Sequence, residues 1–107
     1  HIDYIRDMLE AAQKAEKFVL GVDAESFAAN DEKVFAVIRA LEIIGEAARR
    51  ISQEFCKAHP EIPWKAIVGM RHKVVHDYMN LDEDVVWDTV QQELPPLIEK
   101  LNKIVGS

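Results

Sequence analysis

The stretch NDEKVFAVIRALEIIGEAARRISQEF, residues 30–55, decides the fold. Within it Val34, Val37, Ile38, Leu41, Ile44, Gly45, Ala48, Ile51 and Phe55 recur at the three-and-four spacing of one helical face. At 3.6 residues per turn that face runs for more than about five turns, and Asn30 or Asp31 stands where an N-cap is needed. Phe35, Ile43 and Ala47 add a second apolar stripe, so this helix is expected to be covered on two sides, by its own core and by a partner. Gly45 and Ala48 are small enough to let another helix approach closely.

Upstream, Ile2, Ile5, Leu9, Ala12 and Val19 share one helical face, while Asp7, Glu10, Lys14 and Lys17 occupy the others. This first amphipathic helix should stop near Gly21, and residues 21–30 read as a connection with one short turn around Ser26 to Ala29. Downstream, His59-Pro60 ends the long helix, because a residue before proline is pushed out of the α region, and Pro63 can open the next. That third segment carries Trp64, Ile67 and Val68, weakens at Gly69 and is expected to resume through Arg71 to Tyr78. Asn80 or Asp82 caps a last helix, in which Val86, Val90, Leu94, Leu97, Ile98, Leu101 and Val105 keep helical spacing. Pro95-Pro96 should kink or split it. With no β-alternation and no repeat, residues 1–107 read as one all-α domain, an up-down four-helix bundle with a kinked or split C-terminal helix.

Composition narrows the function. An apolar fraction of 49% in 107 residues supports a single core. Cys56 is the only cysteine, which rules out an internal disulfide framework and a one-chain cysteine zinc site, and a reducing cytoplasm is the expected setting. Nothing approaches the ~20 consecutive apolar residues of a membrane span. The chain opens on His1 rather than methionine, so a longer reading frame or a removed tag is expected upstream. The net charge of -6 argues against a protein that coats nucleic acid nonspecifically, since such binding rests on phosphate neutralisation. The charge is uneven, however: Lys65, Arg71, His72 and Lys73 cluster, and so do Asp82, Glu83 and Asp84.

The basic cluster belongs to GMRHKVVHDY, residues 69–78. Arg71 offers a permanent charge that matches phosphate, His76 a proton acceptor near neutral pH, and Tyr78 a phenol that can receive a transferred group. Those needs coincide with RNA cleavage, in which histidine takes the 2′-hydroxyl proton and arginine stabilises the charged transition state. If the 2′-hydroxyl is the nucleophile no metal is required, and the products are a 2′,3′-cyclic phosphate and a 5′-hydroxyl. On a straight helix, at ~100° per residue, Arg71, Val75 and Tyr78 share a face and His76 lies ~140° round from Arg71. Three solutions remain open: a bend near Gly69, a swing of the long arginine side chain, or completion of the site by a second subunit. The same residue types also occur as ordinary surface groups, and spacing does not separate the two readings. His72 and His76 have metal-ligand spacing, yet no third ligand is placed and no glutamate follows the first histidine, so no metal and no cofactor is assigned.

The run from Gly69 to Tyr78, preceded by Pro63-Trp64-Lys-Ala-Ile-Val and Ala40-Leu-Glu-Ile-Ile-Gly-Glu-Ala-Ala48, resembles the HepT-like toxins of the HEPN superfamily. The likeness extends to Val86-Trp87 and Leu94-Pro95. It implies an all-helical domain that forms a homodimer and brings the arginine and histidine of both subunits into one cleft. It also implies a metal-independent ribonuclease, paired as toxin with a minimal nucleotidyltransferase antitoxin in a type VII-like system. Arg71 and His76 are the matching catalytic positions, and Tyr78 is the matching acceptor of AMP from the partner enzyme. AMP at Tyr78 would add negative charge and bulk and so repel RNA. His72 departs from the asparagine that many members carry after the arginine, and ranks as accessory. Glu46 matches an acidic residue expected to orient the arginine; its alternative is a surface pair with Arg50 at i+4.

Other polar candidates read more plainly. Arg39, Glu42, Glu46, Arg49 and Gln53 form a stripe that is either a solvated face or the rim of a cleft. Trp64 and Trp87 read as core or interface anchors, and Cys56 as a passive apolar residue. The rival to the enzyme is a noncatalytic helical adaptor or nucleotide-binding subunit that docks a nucleotidyltransferase.

Overall fold

Three long helices carry the core of the computed structural model, which describes residues 2–69 and 82–106. They are α1 (Ile2–Phe18), α3 (Asp31–Arg49) and the C-terminal α7 (Leu94–Gly106). Shorter helices join them: α2 (Ala24–Ala28), α4 (Gln53–Ala58), α5 (Trp64–Val68) and α6 (Glu83–Asp88). Among the described residues there is no strand, so the all-α class holds. The expected continuation of the third segment from Arg71 to Tyr78 lies outside the described residues.

The α1–α3 pair forms the most extensive helix contact, and α1 also packs on α7. The sequence explains the intimacy of the first pair: Ala11, Ala12 and Ala15 on α1, and Ala40, Ala47 and Ala48 on α3, are all buried, so little side-chain volume holds the backbones apart. Ile5, Met8, Leu41 and Ile44 are fully buried and fill the space around them. Lys33 ties the ends together as its Nζ donates to the Phe18 carbonyl at 3.0 Å, satisfying one of the carbonyls that the end of α1 leaves without a helical partner. Gly21 then takes a φ of 74°, the left-handed conformation open to glycine without strain, and turns the chain toward α2.

Caps mark the other boundaries. The Asn30 side chain accepts from Lys33 N and starts α3 as the sequence implies. Asp82 does the same for α6 by accepting from Val85 N. Asp23 caps α2 by accepting from Ser26 N at 2.8 Å, and that bond holds its carboxyl below the ordinary carboxylate value. The short turn expected in the connection after Gly21 is thus present, set slightly earlier at Ala24–Ala28.

The long second helix differs from the expected span. It stops at Arg49 and restarts at Gln53, because Ser52 turns its hydroxyl to Phe55 N and caps a new helix instead of continuing the old one. Ile51 is nonetheless buried and Phe55 half-buried, so the apolar spacing persisted through a break that the periodicity alone concealed. The second apolar stripe also divides: Ala47 is buried, Ile43 half-buried, and Phe35 is 60% exposed.

Pro95-Pro96 acts as expected, with a specific device. Residues Thr89–Glu93 adopt a π-helical turn before α7 begins. Prolines at positions 95 and 96 cannot donate to carbonyls four residues back, and their rings would collide with them, so a widened turn moves those carbonyls aside. Thr89, fully buried, closes its own hydrogen bond by donating Oγ1–H to the Val85 carbonyl at 2.7 Å. Val86, Val90, Leu94, Leu97 and Leu101 stay buried across the irregularity, which keeps the C-terminal helices on one core.

Candidate functional site

The chain enters residues 70–81 from α5 and leaves them into α6, so the packing of those two helices sets the two ends of the candidate site. Helix α5 is only five residues long and cannot hold itself in water. Its position comes from tertiary contacts. Ile67 is buried, and Trp64 is half-buried with its indole N–H donating to the His59 carbonyl at 2.9 Å. Phe55 stands 4.5 Å from the His59 ring and 6.3 Å from that of Trp64, measured between centroids. His59 Nδ1 lies 3.2 Å from a Glu61 carboxylate oxygen.

The decisive contact is with α3. A Cβ added at Gly45 would sit 3.3 Å from the Ile67 carbonyl oxygen and 3.7 Å from that of Val68. Glycine therefore lets the backbone of α5 lie against the backbone of α3, three residues before Arg71 in sequence. The expectation that Gly45 permits close helix approach is met at the segment that leads into the motif. At the other end, α6 packs on α2 and α3, with Trp87 and Phe27 rings 5.4 Å apart, so Trp87 serves as a core anchor.

Glu46 follows Gly45 and, at ~100° per residue, projects to the side of that contact rather than into it. Its carboxylate Oε1 meets Arg39 Nη1 at 3.5 Å, two turns back on the same helix. The i+4 pair with Arg50 considered from the sequence is not what forms. The signal for the observed pair was present in the spacing of seven between residues 39 and 46, both of which belong to the polar stripe. Arg39, Glu46 and Arg49 are exposed on α3, Glu42 beside them is half-buried, and Gln53, also exposed, falls on α4, so the stripe is divided between two helices.

Arg71, His72, His76 and Tyr78 all lie outside the described residues. Of the proposed site residues only Glu46 is placed, and it stands on the helix against which α5 is held. Among the described residues no group of three His, Cys, Asp or Glu side chains could hold a metal ion, and no helix is long and apolar enough to cross a membrane. Cys56 is half-buried within α4. A feature that the sequence did not reveal is a cleft of about 200 Å³ between α1 and α3, bordered by Glu46 and by Tyr4, Asp7 and Arg50.

Comparison with known proteins places the chain in context. The family model described as ribonuclease HepT-like matches residues 8–104. A protein of Thermococcus cleftensis described as a probable ribonuclease HepT is 43% identical over 104 residues, covering 97% of this chain and 94% of its own length. Proteins described as candidate RNases from Caldanaerobacter subterraneus and Methanocaldococcus jannaschii are 33% and 38% identical, covering 95% and 88% of this chain and 91% and 86% of their own lengths. No solved structure matches it.

The geometry around Gly45 predicts opposite outcomes for two adjacent substitutions. Gly45→Val should force α5 away and lower stability in urea by about 1–3 kcal/mol, the usual cost of overpacking. Glu46→Gln removes an exposed ion pair and should change stability by no more than about 0.5 kcal/mol. Equal unfolding midpoints for Gly45→Val and the native chain would show that α5 is not held at this contact.

Proposed function

Because the chain belongs to the ribonuclease HepT-like family, we propose that it is a metal-independent RNA endonuclease in which Arg71 and His76 act on the scissile phosphodiester. The observation that carries this reading is the match of the family model across residues 8–104, which spans the Arg71 to Tyr78 motif. The relatives that are described as ribonucleases support the same reaction class.

The reaction balances without an external nucleophile. His76 accepts the proton of the 2′-hydroxyl, the freed oxygen attacks phosphorus, and the 5′-oxygen leaves as a hydroxyl once protonated. Arg71 holds the non-bridging oxygens and offsets the charge that grows on them. His72 is an accessory phosphate contact or second proton carrier. Glu46, on an open face beside the α5 contact and already paired with a guanidinium in Arg39, is suited to exchange that partner for Arg71 and orient it. The pair is exposed, so exchanging partners costs little.

A homodimer would supply two copies of the motif to one cleft and answer the ~140° separation of arginine and histidine on a straight helix. The exposure of Phe35 supports it, together with a groove of about 270 Å³ to which Phe18, Ala36, Ala40 and Ile43 contribute. A cytoplasmic toxin of this kind must be restrained, and we assign that restraint to a cognate minimal nucleotidyltransferase that transfers AMP to Tyr78. The phenol oxygen attacks the α-phosphorus of ATP, pyrophosphate leaves, and the new phosphodiester brings negative charge to the RNA path.

Two measurements test this reading. In EDTA, Arg71→Ala and His76→Ala should each lower RNA cleavage by about 100-fold or more, a loss typical of removing a general base or a charge-stabilising group. Equal RNA loss from all three preparations would assign the activity to a contaminant. With ATP and the cognate transferase, intact-mass spectrometry should show AMP additions on the native chain and none on Tyr78→Phe; additions that persist in the phenylalanine variant would move the acceptor elsewhere.

A further inference from the structure

The cleft between α1 and the C-terminal half of α3 has a composition that an ordinary helix seam does not need. Ile43 and Ala47 give it apolar surface, Tyr4 contributes a half-buried phenol ring, and Asp7, Glu46 and Arg50 bring charge to its border. Glu46 is engaged by Arg39. The ion pairs and side-chain hydrogen bonds among the described residues involve neither Asp7 nor Arg50, so one carboxylate and one guanidinium face the cleft uncommitted. At about 200 Å³ it is smaller than the ~300–1,000 Å³ of a drug-sized ligand site and suits a single flat ring system.

We propose that this cleft is a nucleobase subsite that selects guanine in the single-stranded RNA that the chain cleaves, a proposal that rests on the RNA-cleaving reading above. Single-stranded RNA is recognised by stacking unpaired bases on aromatic rings and bonding their Watson–Crick edges, and Tyr4 supplies the ring. Asp7 supplies the edge reader. An ionised carboxylate has two acceptor oxygens and no donor, so it matches the base that presents two adjacent donors. Guanine does so with N1–H and the N2 amino group. Adenine and cytosine set a single amino group beside a ring acceptor, and uracil sets one N–H between two carbonyls, so each would bring a lone pair against the carboxylate. Arg50, one turn beyond Glu46, is placed for the phosphate that follows the base.

The test uses RNAs that are identical except for guanine, inosine or adenine at a single position on either side of the cut. Inosine keeps N1–H and lacks only the amino group. The native chain should cleave the guanine RNA about tenfold faster than the other two, within the discrimination of a good bidentate contact. Asp7→Asn should bring that ratio close to one, whereas Glu10→Gln on the same helix should leave it unchanged. A ratio near one for the native chain, or an unaltered ratio in Asp7→Asn, overturns the subsite. Should the native chain cleave nothing, the RNase reading fails separately, and the cleft is then tested with guanosine and adenosine 5′-monophosphate by amide-shift titration. Shifts in the first two turns of α1 and at Glu46–Arg50 that saturate at least about fivefold earlier for the guanosine nucleotide would support it. Equal responses, or none in that cleft, would overturn it.

Discussion

The approach of α5 to α3 at Gly45 is the constraint on which the rest of the site depends. A five-residue helix has no stability of its own, and it is held here against α3, where the Ile67 carbonyl oxygen lies only 3.3 Å from the position that a Cβ at residue 45 would take. The rings of Phe55 and His59, grouped with that of Trp64, add a second support at the start of the same segment. Both supports fix the backbone position of α5, the segment that leads into residues 70–81.

Helix α3 does three jobs at once. One side enters the core against α1 through Ala40, Ala47, Leu41 and Ile44, another receives α5 at Gly45, and the third stays open with Arg39, Glu46 and Arg49. The division also reconciles an acidic chain of net charge -6 with an RNA substrate. Affinity for polyanions in general is weak in such a protein, while a few arginines set along one face can still engage a short stretch of phosphates.

Much of this was legible in the sequence, for identifiable reasons. The boundaries at Asn30 and Asp82 follow from caps whose side chains bond the expected backbone groups, and the burial of Val86, Val90, Leu94 and Leu101 follows from spacing alone. The break at Ser52 was hidden because Ile51 and Phe55 continue the apolar pattern on either side of it, and periodicity reports burial rather than helix continuity. The π-helical turn ahead of Pro95 was beyond reach, since the prolines announce an irregularity without saying where the backbone absorbs it. For the site, the capacity of Gly45 for a close helix contact was readable as a small residue in an apolar stripe, while its partner, α5, was not. The Arg39–Glu46 pair spans two helical turns, a separation at which only long side chains meet, so the i+4 spacing of Glu46 and Arg50 conceals it. The cleft beside Tyr4 depends on how α1 crosses α3, which no local pattern encodes.

The chemistry ascribed to Arg71 and His76 leaves a signature in the product. RNA cut in the presence of EDTA should carry a 2′,3′-cyclic phosphate on one new end and a 5′-hydroxyl on the other, as read by mass spectrometry of the fragments. New ends bearing a 3′-hydroxyl and a 5′-phosphate, formed only when a divalent metal is restored, would contradict the account, because water activated by a metal would then be the nucleophile in place of the 2′-hydroxyl.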